Sequence, residues 1–262
     1  MLVRQITDDH LAQNAYLIGC QQTGEAVIID PERDVERYIE AAAKENLKLV
    51  AATETHVHAD FVSGTRELAA RLPGLRVLLS AEGGADWQYR WPAEDRREVT
   101  LLKDGDTFRV GKIEIRAWHT PGHTPEHLSF VVTDHGGGAS EPMGVASGDF
   151  VFVGDLGRPD LLETAAGVVG NREPSARKLH ESAKAFLGLP DFLQVWPGHG
   201  AGSACGKALG AIPTTTVGYE RRFSPAIAQA DKGVQPFIDF ILSGQPEPPA
   251  YFARMKQLNL EE

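Results

Sequence analysis

The feature that most restricts this chain is the repeated placement of metal-type side chains directly after short apolar runs. Leu49-Val50-Ala51-Ala52-Thr53 reads as a buried strand and runs straight into Thr55-His56-Val57-His58-Ala59-Asp60. A strand over 113–119 leads into Thr120-Pro121-Gly122-His123-Thr124-Pro125. Another over 145–148 ends at Asp149, and Gln194-Val195-Trp196 ends at Pro197-Gly198-His199-Gly200. Any one of these histidines alone reads as a satisfied surface or core residue. Four strand ends carrying imidazole or carboxylate read differently. Loops held by a rigid scaffold are where function concentrates, and a divalent metal needs such a convergence of nitrogen and oxygen ligands.

The runs between these points are short, β-rich and bounded by turn residues. Residues 15–18 and 26–29 flank Gln21-Gln22-Thr23-Gly24 and predict a hairpin. Val35, Tyr38, Ile39 and Ala42 at helical spacing predict a helix over 34–46. A second helix is expected over 63–72, capped by Ser63, followed by a strand at 77–79. Residues 82–97 form an irregular insertion with Trp87, Tyr89 and Trp91. Strands are then expected at 99–102, 107–110, 113–119, 128–133 and 145–148, with a flexible Gly136-Gly137-Gly138 turn before the last. A helix over 175–187 and one long helix over 225–242 complete the pattern. Two β-rich halves, each with helices outside, predict an α/β fold of four layers, an αββα sandwich. That domain is expected to occupy 1–243. Residues 244–262 read as a linker-like tail, Gly244-Gln245-Pro246-Glu247-Pro248-Pro249 and then a short apolar face, which either folds back or leads to a further domain.

Composition narrows the partners. The 262 residues carry a net charge of −10, and no Lys/Arg run exceeds two residues. An acidic chain without a basic stripe is a poor partner for nucleic acid or an anionic membrane. No stretch approaches the ~20 apolar residues that span a bilayer. The polar segment Met1–Asp9 lacks a signal-peptide pattern, and the two distant cysteines, Cys20 and Cys205, make no disulfide framework. A cytoplasmic setting is expected.

Taken together, the motifs resemble the metallo-β-lactamase superfamily, whose pattern is T-H-x-H-x-D-H, then a His after glycine, a bridging Asp and a last His. This chain departs at Phe61, where the pattern has its next His. Phe61 has no lone pair, so the second site of the dinuclear zinc members loses a ligand, although Asp60, Asp149 and His199 remain to hold a weak second ion. The branch the chain most resembles is the persulfide dioxygenase group. The resemblance implies one Fe(II) per chain held by His56, His123 and Asp149, a 2-His-1-carboxylate triad with open positions for O₂ and substrate. It implies that His58, Asp60 and His199 orient ligands and water. The implied reaction converts a low-molecular-weight thiol persulfide, O₂ and water to thiol and sulfite. Arg158 is then expected either to pair with a substrate carboxylate or to bridge Asp160 or Asp155. Tyr219 either donates toward the substrate or packs in the core. Cys205 either handles sulfur at the site or is an inert buried thiol. Trp87, Tyr89 and Trp91 either line an entrance or serve structure, and Cys20 is a small hydrophobe. The stretches Cys205–Gly210 and Gly218-Tyr219-Glu220 are similar to members with a downstream rhodanese domain, making such a domain or protein an expected partner beside a homo-oligomer. The rival reading is a Zn²⁺-dependent hydrolase, acting like glyoxalase II on a thioester or like a lactonase. A non-catalytic sulfur-relay module is a further alternative, against which the intact ligand set argues.

Overall fold

The computed structural model describes residues 1–164 and 170–261. Its strands are β1 (Leu2–Asp8), β2 (Gln13–Cys20), β3 (Glu25–Ile29), β4 (Lys48–Thr53), β5 (Arg76–Ser80), β6 (Thr100–Leu102), β7 (Thr107–Val110), β8 (Ile113–His119), β9 (Leu128–Asp134), β10 (Gly144–Gly148), β11 (Gln194–Pro197) and β12 (Thr215–Thr216). Its helices are α1 (Glu36–Lys44), α2 (Thr65–Arg71), α3 (Trp91–Glu94), α4 (Leu161–Thr164), α5 (Arg172–Phe186), α6 (Val217–Phe223), α7 (Pro225–Lys232), α8 (Val234–Leu242) and α9 (Phe252–Glu261). One six-stranded sheet runs β1-β2-β3-β4-β5-β6, the other β12-β11-β10-β9-β8-β7. In the first, the β1–β3 meander is antiparallel and β3 to β6 are parallel. In the second, β7 to β10 are antiparallel and β10 pairs with β11 in parallel.

Both faces of the central strands are buried, which is why their sequences read as near-continuous apolar runs. Along β2, Tyr16 and Ile18 point into the inter-sheet core, where they join Val27, Ile29, Ile115, Phe130 and Trp196. Their neighbours Ala15 and Leu17 point outward to meet Val35, Tyr38 and Ala42 on or beside α1 and Leu68 on α2. On the far side, Val131, Val145 and Val195 pack against Ala176, Leu179, Ala183 and Phe186 of α5 and against Ile227 and Phe237 of α7 and α8. These three apolar layers between four structural ones make the αββα sandwich.

The structure differs from the sequence expectation in three places. Met1–Asp9 contributes β1, whose half-exposed edge position leaves little apolar signal. The second helix begins after Gly64, later than 63, and the Ser63 hydroxyl donates to Glu54 while accepting from Thr65 N–H at 3.3 Å. The expected long helix is two, because Gly233 adopts φ +120° and ψ 171° between α7 and α8. Of the two courses open to the tail, residues 252–261 take the first and fold back as α9, burying Phe252, Asn259 and Leu260.

The four ligand-bearing turns leave the same edge of the sandwich. Parallel pairing of β10 with β11 sets Gly148 opposite Pro197, so Asp149 and His199 emerge side by side. The 54–64 loop is tied to the second sheet by Leu128 N–H donating to Thr55 O (2.7 Å). At the same edge, Tyr16 OH donates to Pro197 O (2.8 Å), joining β2 to the end of β11.

Candidate metal centre

His56, His123 and Asp149 are buried, and one ligand atom from each lies within 4.8 Å of the others. Their orientation is set by outer hydrogen bonds. The Thr55 hydroxyl donates to Asp30 Oδ2 (2.8 Å), so at 2.9 Å from His56 Nδ1 it can only accept, which puts the His56 proton on Nδ1. Arg158 O, a pure acceptor, takes the proton of His123 Nδ1 at 3.0 Å. Burial lowers both imidazoles below their ordinary range and keeps them neutral. Both Nε2 atoms are therefore bare, and they face Asp149 Oδ2 at 4.0 and 3.5 Å. Among the described residues, neither Asp149 carboxylate oxygen finds a hydrogen-bond donor, though both are buried. Two lone pairs and a donorless carboxylate turned on one buried point repel each other unless a cation lies between them. The donor set fits a metal ion.

Local backbone explains why these side chains sit where they do. Gly122 has φ +146°, and a Cβ there would lie 2.5 Å from Leu179 Cβ on α5, so the turn before His123 can press on that helix only as glycine. A Cβ on Gly157 would meet Asp149 O at 1.8 Å. His127, buried and stacked on His56 with centroids 5.2 Å apart, accepts from Asp149 N–H at 3.1 Å through Nε2 and so fixes the Asp149 backbone.

A second buried group, Asp60, His199 and Cys205, adjoins the first. His199 Nε2 lies 3.1 Å from Asp60 Oδ2 and 3.5 Å from Asp149 Oδ1. Burial pushes His199 down, but the surrounding charges, Asp149 foremost, outweigh it and raise it well above the usual range. Burial, reinforced by Asp149, drives the Cys205 thiol up to about 12.

His58 turns the other way. Its Nε2 lies 3.1 Å from both Asp30 Oδ1 and Glu54 Oε2. Burial lowers His58, yet Asp30 and then Glu54 outweigh it and hold it well above the ordinary range. Its Nδ1 has no hydrogen-bond partner. The Phe61 ring packs on His58, with centroids 4.2 Å apart, and offers no lone pair to an ion.

The sequence leaves Arg158 and Tyr219 two alternatives each, and the structure gives each a protein partner. Arg158 is buried, with Nε and Nη2 donating to Asp160 (3.1 and 2.7 Å) and Nη1 to Ala204 O (3.2 Å). Its fork is used internally, so the salt-bridge alternative describes it. Tyr219 is half exposed on α6 and packs its ring on Phe223, with centroids 4.9 Å apart, away from the cluster. Tyr251 packs on Phe252, with ring centroids 5.3 Å apart, and its phenol is raised by burial first and by Asp60 and Cys205 further. Trp87 and Trp91 are buried, and Tyr89 OH donates to His56 O (3.0 Å), so the aromatic insertion braces the centre. Cys20 is a buried free thiol.

Asp30, Glu54, His127 and Asn259 escaped the sequence reading. Asp30 had a signal, since it follows Ile28-Ile29 at a strand end like the other four.

Residues 8–199 match the model of the metallo-beta-lactamase superfamily. The chain belongs to the metallo-beta-lactamase superfamily. Within it, the chain is similar to the mitochondrial persulfide dioxygenase ETHE1 of Bos taurus, 28% identical over 230 residues, covering 87% of this chain and 76% of that protein. It superimposes on a metallo-beta-lactamase from Staphylococcus aureus with TM-score 0.89 and 45% identity, covering 99% of this chain and 72% of that one. ETHE1 from Myxococcus xanthus matches with TM-score 0.74 and 26% identity, over 98% of this chain and 99% of that one. The superfamily fold together with the His/Asp cluster implies a bound metal.

Proposed function

We propose that this chain is a mononuclear iron persulfide dioxygenase. The reaction takes RSSH, O₂ and H₂O to RSH, SO₃²⁻ and two protons. The observation that carries this reading is the pair of bare imidazole nitrogens of His56 and His123 aimed at the donorless carboxylate of Asp149. Two histidines and one carboxylate would hold the ion while leaving coordination positions open for small ligands. A ferrous ion in that seat supplies redox chemistry toward O₂ that zinc lacks.

The chain's own groups have separate tasks. His56, His123 and Asp149 hold the ion. His199, kept protonated by Asp149 and Asp60, stands beside the open side as a proton donor to the thiol product. Asp60 orients His199. Phe152, with its ring centroid 6.2 Å from that of His199, joins Cys205 and Phe252 in a buried apolar cluster unfavourable to bulk water. Phe61 leaves the second ion of the dinuclear pattern one ligand short.

A second reading, a zinc-dependent thioester hydrolase or lactonase, is favoured by one observation. His58 Nδ1 is buried without a hydrogen-bond partner while Nε2 is engaged by carboxylates, an arrangement in which loss of the Nδ1 proton would free that nitrogen for a metal. Elemental analysis of anaerobically purified protein, with an oxygen electrode and glutathione persulfide, separates the two. One iron per chain with O₂ uptake and sulfite release is expected. Zinc with thioester hydrolysis and no O₂ uptake would overturn the dioxygenase reading.

A further inference from the structure

The 54–64 loop carries His56, His58 and Asp60, yet it has no regular secondary structure to hold its backbone. Part of what holds it comes from the far end of the chain. Asn259, buried on α9, donates through Nδ2 to His58 O and to Phe61 O, each at 2.8 Å. Its Oδ1 accepts from Ser63 N–H at 2.8 Å. One amide thus satisfies three backbone groups on both sides of Asp60, groups that would otherwise be left unmet in a buried setting. The helix is itself clamped over the loop. Arg90 N–H donates to Leu260 O (2.7 Å), Leu260 packs with Val57 and Trp87, and Phe252 packs in the cluster of Phe152 and Cys205. Lys256 Nζ lies 3.6 Å from the Trp87 ring centroid.

We infer that Asn259 is a positioning residue of the metal centre, and that α9 is a working part of that centre and more than a tail. Its amide pins the backbone from His58 to Ser63, which keeps His56 and Asp60 aligned with ligands arriving from the other sheet. The inference rests on the metal reading above. It assigns the tight fit of a buried amide to three loop groups a role in metal affinity and geometry, beyond folding.

The test is titration of the full, chelator-stripped chain with Co²⁺, followed by visible absorption, alongside thermal melting. Asn259→Ala is expected to weaken Co²⁺ binding by roughly 10–100-fold, as loss of outer-sphere support does elsewhere, and to change the cobalt spectrum. Asn259→Asp keeps the acceptor for Ser63 and nearly the same volume but removes both donors, and is expected to behave alike. Phe108→Ala, on β7 and outside both the loop and α9, removes packing from the inter-sheet core. It should lower the melting temperature while leaving the cobalt spectrum unchanged and the affinity within about twofold. Unaltered cobalt binding by both Asn259 variants, or an equal loss in Phe108→Ala, overturns the inference alone. No cobalt uptake by the unsubstituted chain overturns the metal reading and the inference together.

Discussion

At the scale of single residues, the centre is an electrostatic conflict awaiting a cation. Asp149 faces two bare imidazole nitrogens with no donor of its own. Metal should therefore raise the melting temperature of the wild-type chain by mass action. In Asp149→Asn that rise should vanish, while the metal-free variant melts no lower than the metal-free wild type, since the conflict has been removed. Calorimetry with and without added metal checks both. His123→Ala should lose more metal affinity than the roughly 10–100-fold typical of outer-sphere partners, read by elemental analysis after gel filtration. Gly157→Ala tests the backbone beneath. A Cβ placed 1.8 Å from Asp149 O must displace that residue, so a stability loss of about 1–3 kcal/mol with reduced metal content is expected. Retention of wild-type metal content would show that the Asp149 turn yields without moving the carboxylate.

At the scale of elements, each ligand turn is aimed by the strand before it, and glycine decides where helices stop. Among the described residues, nothing lies within 4 Å of a Cβ built on Gly233, so crowding by them does not break α7 from α8. The cause is backbone conformation: φ +120° and ψ 171° belong to a region open essentially to glycine. Gly233→Ala should destabilise the chain by about 1–3 kcal/mol, measured by urea unfolding, with no change in metal content because the site is elsewhere. The break turns α8 so that Phe237, Ile238 and Ile241 pack beside α5, which in turn supports Gly122 and the His123 turn.

At the scale of the whole molecule, closure of two sheets over one edge buries charge that must be managed by pH. Glu126, fully buried beside the 54–64 loop, accepts from Val57 N–H (2.7 Å), and burial pushes its carboxyl from 4.5 up to about 7. The unfolded chain releases this proton near 4.5 and the folded chain only near 7, so the unfolded state binds fewer protons in that window. Stability from this group is present below pH 4.5 and lost as pH rises to 7, by at most about 3 kcal/mol. Glu126→Gln keeps the acceptor for Val57 and should flatten that decline. Unfolding free energies at pH 5 and pH 8 provide the comparison, and an equal decline in both proteins would refute the assignment.

Much of this was legible in the chain itself. Apolar runs of strand length ending in His56, His123, Asp149 and His199 fixed both the sandwich and the place of the centre, because strand ends in a layered sheet share an edge. What lies far apart in sequence was not legible. No local pattern says that Asn259 bonds to His58 and Phe61, that Arg158 turns its guanidinium to Asp160, or that Tyr89 bonds to the His56 carbonyl. Edge strand β1 and the break at Gly233 were hidden for a related reason, since pairing and backbone angle leave little trace in hydrophobic pattern. Sequence determined which chemistry arrives at the edge. Tertiary packing decided which nitrogen of each imidazole faces inward, because that depends on hydrogen bonds from Thr55, the Arg158 carbonyl, Asp30 and Glu54, formed only once the chain is folded.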